Sequence, residues 1–142
     1  MDKVHALQAA MMQLPQFDGA KTTHRFADGM YCRSVWRPAG VTVVGALHKH
    51  EHFTVILSGE ILVYNEGIAK HCKAGDVFVT PAGAKRATHA LTDAELMTVH
   101  RLPDPLERDL DKIEAALLDP EGMPRLYDAD NRLRDPLLAQ EK

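Results

Sequence analysis

The stretch that decides the fold is Val41 to Gly59, VTVVGALHKHEHFTVILSG, in which three histidines stand between two apolar runs. Side chains on a β-strand point alternately to opposite faces, so His48, His50 and His52 are predicted to share one face of a strand. Neutral imidazole is a good ligand for zinc, iron, nickel and copper ions. The pattern therefore predicts a metal-binding pocket built on this strand.

Strand geometry limits how many of these histidines reach one ion. On a regular strand, residues four positions apart are separated by about 13 Å, so His48 and His52 meet only if the strand bends or bulges. Two of the three histidines plus a ligand from elsewhere in the chain is the more realistic site. The alternative is a solvated strand end with incidental histidines, because His beside Lys and Glu is also typical of an exposed turn.

The sequence around this stretch, from Thr22 to Arg101, is typical of many short strands separated by turns. Repeated short strands with regular turn signals predict a β-sandwich or a β-barrel. The turn signals are Asp28-Gly29, Pro38-Ala39-Gly40, Ser58-Gly59, Asn65-Glu66-Gly67, Ala74-Gly75-Asp76, Pro81-Ala82-Gly83 and Thr92-Asp93.

Helical patterns precede and follow these strands. Residues 2–14 carry apolar side chains at helical spacing and stop at Pro15, which predicts a short helix that covers part of the barrel. After Pro103, Asp104 is predicted to cap a second helix that ends near Asp119-Pro120. Its apolar stripe is Leu106, Leu110, Ile113 and Leu117.

The chain is thus expected to divide into a lead-in with the first helix (1–21), a barrel domain (22–101) and a C-terminal helix with an acidic tail (102–142). The tail from residue 121 onward mixes Gly, Pro and charges with a few apolar residues. Three outcomes remain open for it: it wraps its own domain, it wraps a partner subunit, or it is partly disordered.

Composition excludes several classes of protein. The 142 residues are 45% hydrophobic and 26% charged, which is typical of one globular domain. No apolar run approaches the roughly 20 residues that cross a bilayer, and the N-terminus lacks a secretory pattern. The net charge is −3, so neither nucleic acid nor a membrane is an expected partner. Cys32 and Cys72 are expected to be reduced thiols in a cytoplasmic protein.

Two spacing patterns resemble the motifs of the cupin superfamily. The first motif has paired histidines, usually a glutamate, six further residues and a glycine; here His52 takes the glutamate position and Gly59 is the glycine. The second motif places glycine, proline and glycine in the register of Gly75, Pro81 and Gly83. The resemblance covers about residues 22–101. It implies a mainly β, cupin-type double-stranded β-helix, which is a jelly-roll barrel.

Within the superfamily, the chain resembles small cupin-like proteins encoded by tailed bacteriophages. The segments that carry this resemblance are FADGMYCRSVWRPAG (26–40), HKHEH (48–52), PAGAKR (81–86), TVH (98–100) and DLDKIEAALL (109–118). That group has no settled biochemical role, so the resemblance implies a fold and a pocket but no reaction. A phage-encoded protein of this kind would reside in the host cytoplasm or in the virion.

The ligand set that is usual in cupins, three histidines and one glutamate, does not transfer to this sequence. Arg86 stands where the second motif normally has its histidine, and His52 replaces the glutamate. His89 and His100 are the spare imidazoles, and alternation from residue 86 sends His89 outward, so His100 is preferred. The candidate metal ligands are therefore His48, His50, His52 and His100, with His50 and His100 competing for one position.

Arg86 is the candidate substrate-binding residue. Its guanidinium is always charged and offers a fork of donors that fits carboxylate or phosphate, so inside a barrel it would anchor an anionic ligand near the metal. The alternative is a surface arginine beside Lys85 or an ion pair with a glutamate. Glu51 is a carboxylate near the histidines, but it is out of phase with them along the strand.

Two functions follow from these observations. The first is a metalloenzyme of dioxygenase, isomerase or lyase type that uses Fe, Zn, Ni or Mn and acts on a small anionic molecule. The second is a non-catalytic phage-type accessory or virion-associated protein with a structural or vestigial metal site. A homodimer is expected in either case, because small cupins commonly pair through sheet edges and unpaired edges need covering.

Overall fold

The computed structural model describes residues 2–65, 68–122 and 126–139. These residues form two large antiparallel sheets, a two-stranded sheet and two short helices. The helices are α1 (Asp2–Met11) and α2 (Leu110–Leu117), and a 3-10 turn spans Pro136–Ala139. The strands are β1 (Lys21–Ala27), β2 (Met30–Arg37), β3 (Thr42–Val44), β4 (Leu47–His48), β5 (His52–Ser58), β6 (Glu60–Asn65), β7 (Ile68–Lys73), β8 (Val77–Thr80), β9 (Ala87–Ala90), β10 (Ala94–Arg101) and β11 (Leu118–Asp119).

The strands are arranged as a jelly roll. One sheet has the order β1-β2-β10-β5-β8, the other has the order β3-β9-β6-β7, and β4 pairs separately with β11. Each of the seven predicted turn signals lies at the junction of two consecutive strands, although Glu66 and Gly67 themselves lie outside the described residues. The prediction of a mainly β fold with one short helix before and one after the strands is confirmed.

The core lies between the two sheets and continues beneath α2. Ile56 of β5 and Ile61 of β6 are almost completely buried and pack with Val63, Cys72, Ala90 and Ala94. A second cluster joins Tyr31 of β2 to Leu102, Ile113 and Leu117, so α2 covers one end of the barrel. None of the helices in the described part of the chain is long and apolar enough to cross a membrane.

The predicted start of α2 is wrong. Asp104 caps only a separate turn, in which its carboxylate accepts a hydrogen bond from the Leu106 N–H at 3.1 Å. Leu106 is 83% exposed and does not extend the apolar stripe. The helix begins at Leu110 because the carboxylate of Asp109 accepts from two backbone N–H groups of its first turn. Asp109 therefore takes the capping role that the sequence assigned to Asp104.

Asp109→Ala is expected to lower the free energy of unfolding by about 1 kcal/mol, because the first turn of α2 loses its side-chain acceptor. Asp104→Ala, which removes only the cap of an exposed turn, is expected to cost no more than a few tenths of a kcal/mol. Urea unfolding of both variants measures the difference. A larger loss for Asp104→Ala would contradict this assignment of the cap.

The C-terminal segment folds back along the edge strand β1. The Asp130 carboxylate lies 2.7 Å from His24 Nε2, and the Asn131 side chain donates to the Thr22 hydroxyl at 2.7 Å. Nearby, the Tyr127 hydroxyl donates to the Phe17 carbonyl oxygen at 2.8 Å. In residues 126–134 the tail thus contacts its own domain, which is one of the three outcomes left open by the sequence.

A buried lysine fixes α1 and the segment after α2 to the barrel. Lys85 is only 1% exposed, and its Nζ donates to the Glu121 carboxylate at 2.6 Å. The other oxygen of Glu121 lies 2.9 Å from His5 Nε2 on α1. Burial alone would raise the pKa of Glu121, but the hydrogen bonds from Lys85 and His5 outweigh it and lower that pKa. The network therefore explains how a charged lysine is accommodated inside the domain.

Candidate metal centre

A bend in the chain brings His48 and His52 together. The predicted continuous strand is interrupted: β4 ends at His48 and β5 begins at His52. The expectation that three histidines share one strand face is therefore wrong, and His50 in the intervening turn is exposed. The imidazole rings of His48 and His52 lie with their centroids 4.3 Å apart.

The bend arises because β4 is held by neighbours other than those of β5. The His48 N–H donates to the Ala84 carbonyl oxygen at 3.2 Å, and the Gly83 N–H donates back to the His48 carbonyl oxygen at 2.8 Å. β4 also pairs with β11, whereas β5 lies between β10 and β8. These competing partners turn the backbone between residues 48 and 52, so the two imidazoles converge instead of lying about 13 Å apart.

The third histidine of the cluster is His100, on β10. The register places Thr98 opposite Thr54, so His100 lies level with His52 on the neighbouring strand. Its ring centroid is 4.6 Å from that of His52 and 5.9 Å from that of His48. One ligand nitrogen from each of the three lies within 4.8 Å of the others.

His50 and His89 are not part of this group among the described residues. His89 lies on β9, where its Nδ1 is 2.7 Å from the Thr42 hydroxyl. The structure therefore brings together His48, His52 and His100, a set that includes His100 rather than His50.

Hydrogen bonds orient two of the rings. The Nδ1–H of His52 donates to the His50 carbonyl oxygen at 3.1 Å, which leaves its Nε2 for a ligand. In His100, Nε2 lies 2.8 Å from the Thr98 hydroxyl, which leaves Nδ1. Such contacts on the second ring nitrogen are the usual way in which a protein fixes a metal-binding imidazole.

All three histidines are held in the neutral form. Burial lowers the pKa of His48 to about 4 and that of His100 to about 3, with further lowering from neighbouring histidines and Arg33. Burial also lowers the pKa of His52, assisted by the charge of Arg86. At neutral pH each ring thus offers an unprotonated nitrogen, and the donor set fits a divalent transition metal.

The metal-free protein is expected to lose stability as the pH falls from 7 to 5. Histidine in the unfolded chain has a pKa near 6.5, and the lowered pKa values of His48 and His100 mean that the unfolded state takes up protons first. The expected loss is roughly 3–4 kcal/mol, measured by urea unfolding in the presence of a chelator. The double variant His48→Gln, His100→Gln should have a flatter profile than His50→Gln. Equal slopes in the two variants would contradict the assignment.

A cavity of about 90 Å³ adjoins His48 and His52. That volume holds about three water molecules or a ligand fragment of similar size. Hydroxyl groups of three threonine residues and the ring of Phe78 form much of the remaining wall. The threonines are Thr54, Thr80 and Thr98.

Arg86 lines the same cavity. Its guanidinium donates to the Thr80 hydroxyl at 3.0 Å and lies 5.2 Å from the centroid of the Phe78 ring. The buried Nε of Arg86 has no hydrogen-bond partner among the described residues. Within the described part of the chain Arg86 forms no ion pair with a carboxylate, unlike its neighbour Lys85.

No carboxylate is among the described residues that line this cavity. Glu51, the acidic residue closest in sequence to the histidines, is exposed. Three neutral imidazoles and one arginine therefore give the cavity a positive balance once a divalent ion is present. The arrangement suits an oxygen-rich anion.

Several residues of the site are not predicted from the sequence. Arg33 of β2 lies opposite Thr98 and lowers the pKa of both His48 and His100. Thr80 and Phe78 alternate on β8, where they face the cavity. Arg33 and Tyr31 lie two residues apart on one face of β2, and Tyr31 lies opposite His100. This spacing identifies Arg33 as a neighbour of the site only once β2 is known to pair with β10.

Comparisons with known proteins agree with this fold. Residues 35–100 match the sequence family described as the cupin domain. No curated protein matches the chain. Similar solved structures include an RmlC-like cupin from Shewanella frigidimarina NCIMB 400, with 24% identity, a TM-score of 0.51 and coverage of 61% of this chain and 78% of that one.

Two further similar structures share less sequence. The cupin superfamily protein DSY2733 from Desulfitobacterium hafniense DCB-2 has 14% identity and a TM-score of 0.52, covering 61% of this chain and 80% of that one. KdgF from Halomonas sp. has 19% identity and a TM-score of 0.50, covering 57% and 76%. Nothing in these matches supports the finer resemblance to phage-encoded proteins.

At these identities the solved structures establish the fold alone, whereas the sequence match includes all three histidines of the cluster. The strand order, the motif register and the sequence match all agree with a cupin fold. The β-barrel of this chain has the cupin fold, and residues 35–100 are similar in sequence to the cupin domain.

Proposed function

We propose that the domain holds a divalent transition metal through His48, His52 and His100 and uses it to bind and convert a small organic anion. The observation that carries this proposal is the convergence of three neutral imidazoles beside a small cavity that contains Arg86 and, among the described residues, no lining carboxylate. Reactions of dioxygenase, isomerase or lyase type are compatible with such a site. The two free cysteines agree with the expected cytoplasmic location.

The donor set narrows the choice of metal. Imidazole ligands suit zinc, iron, nickel and copper, whereas manganese prefers carboxylate, carbonyl and water oxygens. Iron, zinc and nickel are therefore the better candidates, and manganese is the weakest of the four ions considered from the sequence. When bound, the ion would supply a Lewis acid or a redox centre with coordination positions left for ligand.

The residues of the chain itself would position the anion. Arg86 lies in the cavity wall, where its Nε finds no acceptor within the described part of the chain and another of its nitrogens donates to Thr80. Its remaining donors suit a carboxylate. The hydroxyls of Thr54 and Thr80 already share a hydrogen bond at 2.7 Å, and both can donate or accept toward a ligand. The small volume of the cavity restricts the reacting fragment to a few atoms.

Oxalate binding to the cobalt-loaded protein tests this proposal. Oxalate should perturb the visible spectrum of the bound cobalt, and Arg86→Met should weaken oxalate binding by about 10-fold to 100-fold, the loss expected for a hydrogen bond to a charged group. Cobalt stoichiometry should not change in that variant. Arg101→Met is the matched control, because Arg101 is exposed.

Two results would contradict the proposal. A cobalt spectrum that oxalate leaves unchanged would show a closed coordination sphere, as in a structural site. Oxalate affinity that is equal in Arg86→Met and Arg101→Met would remove the role of Arg86. Either result would favour the non-catalytic accessory protein as the function.

We further propose that two copies of the domain pair through the outer face of the five-stranded sheet. Phe53, Val77 and Val79 on this face are 51%, 59% and 49% exposed, and Phe53 lies directly beside Val79 across β5 and β8. Contiguous exposed apolar surface of this kind marks interaction sites, and two-fold pairing places the same apolar patch on both sides. β8 is also the last strand of its sheet.

Analytical ultracentrifugation tests the dimer. The wild-type protein should sediment with twice the 15.8 kDa mass of the chain. Val79→Lys should sediment as a monomer, because a charge placed in the centre of the apolar face opposes its burial. Leu106→Lys, at an exposed site away from this face, should remain dimeric. A monomeric wild type, or a dimeric Val79→Lys, would contradict the proposed interface.

A further inference from the structure

A second and larger cavity, of about 300 Å³, lies next to the histidine cavity. The two cavities share Val63, Phe78 and Arg86 as lining residues, so they meet at these three side chains. Lys70 and Ile68 of β7 line only the larger one, and both are exposed, so this cavity opens to solvent.

Strand alternation explains why Lys70 reaches this cavity. Cys72 of β7 is fully buried in the core, and Lys70 and Ile68 precede it at two-residue intervals on the same face. Lys73 lies on the opposite face of the strand. Only Cys72 on this face reaches the core, so the Lys70 side chain lies at the solvent-exposed part of the face, beside the opening of the cavity.

Phe78 has two cations beside its ring. Lys70 Nζ lies 5.3 Å and Arg86 Cζ lies 5.2 Å from the ring centroid. Contact with the face of an aromatic ring does not neutralise either charge. Across the described residues, neither Lys70 nor Arg86 forms an ion pair with a carboxylate.

The larger cavity is lined partly by cationic and polar side chains and partly by apolar ones. Lys70 and Arg86 present positive charge, and Asn65 adds a polar side chain, whereas Val63, Ile68 and Phe78 are apolar. A bound anion would offset the repulsion between the two cations and supply acceptors for Arg86, whose Nε has none in the part of the chain that the structure describes. A volume near 300 Å³ is at the lower end of cavities that hold small-molecule ligands.

We propose that this cavity binds an organic acid with an apolar body. Its carboxylate would lie against Lys70 and Arg86, and its apolar part would pack on Phe78, Val63 and Ile68. Because Arg86 also lines the histidine cavity, an acid with a second polar group would extend from the larger cavity toward the metal. That extension rests on the proposed function, whereas the anion site itself requires no metal.

Nuclear magnetic resonance titration of the metal-free protein with 3-phenylpropionate tests the site. Saturable shifts are expected at Lys70, Phe78 and Arg86. Lys70→Met and Arg86→Met should each raise the dissociation constant about tenfold or more, the effect of losing one charge-assisted contact. Lys73→Met, on the same strand but the opposite face, should bind as tightly as wild type. The neutral 3-phenylpropionamide should bind at least about tenfold more weakly than the acid.

The double variant His48→Ala, His52→Ala distinguishes anion binding in the larger cavity from metal binding by the histidines. Unchanged 3-phenylpropionate binding in that variant would support an anion site that is independent of the metal, even if metal binding itself were disproved. The proposal is overturned if wild-type shifts do not saturate, if the amide binds as tightly as the acid, or if Lys73→Met weakens binding as much as Lys70→Met.

Discussion

Replacing His52 by alanine is expected to abolish tight binding of divalent transition metal. His52 lies between the other two histidines, 4.3 Å from His48 and 4.6 Å from His100 between ring centroids, so its loss leaves two imidazoles without a common neighbour. The dissociation constant for zinc should rise by at least about 100-fold, since removal even of outer contacts to metal ligands typically costs 10–100-fold. Calorimetric titration of untagged protein measures this change.

His50→Ala is the matched control, because His50 is exposed and its side chain lies outside the cluster. It should bind zinc as wild type does. Equal loss in both variants would show that the metal binds to the run of histidines at the turn rather than to the buried cluster. The double variant His48→Ala, His52→Ala should lose the metal and remain folded, whereas a structural zinc site would cost much of the thermal stability.

Gly59→Ala is expected to destabilise the domain by about 4 kcal/mol or more. Gly59 has a φ of 76° in the tight connection between β5 and β6, a backbone conformation that costs other residues energy. A Cβ at this position would lie 2.2 Å from the Asp93 carbonyl oxygen and 2.8 Å from Ala94 Cα. Because both atoms belong to backbone, the clash is relieved only by moving β10 away, and β10 carries His100. The melting temperature should fall by about 10 °C or more.

Gly83→Ala isolates the contribution of the clash. Gly83 also has a positive φ, of 82°, but no atom of the described residues lies within 4 Å of the position that a Cβ would occupy there. Only the conformational strain remains, so the expected cost is about 1–2 kcal/mol. Thermal unfolding of the two variants measures the difference, and equal losses would show that contact with the residues at the start of β10 does not matter at Gly59.

Local signals in the sequence predicted most of the fold. Turn residues such as those at Pro38-Ala39-Gly40 and Ala74-Gly75-Asp76 fall between observed strands, because Gly and Pro restrict or release the backbone wherever they occur. The start of α2 was misassigned because two aspartates, Asp104 and Asp109, both have the chemistry of a cap. Only packing of the following turns on the barrel decides between them.

The site could be predicted in part. His48 and His52 were recognised from their sequence spacing, but their convergence depends on the pairing of β4 with β11, which are about 70 residues apart in the chain. The same limit applies to Arg33, whose influence on His100 follows from the pairing of β2 with β10. Periodicity shows which face a residue occupies, but it does not show which strand lies beside it.

The most direct test of the metal centre is the anomalous diffraction of crystals grown from cobalt-loaded protein. We predict one strong anomalous peak per chain, at about 2.0–2.2 Å from one ring nitrogen each of His48, His52 and His100. His50 should make no contact with that peak. A peak at His5, His24 or His50 instead, or no peak at stoichiometric cobalt, would contradict the proposal that this domain holds a metal through the cluster of His48, His52 and His100.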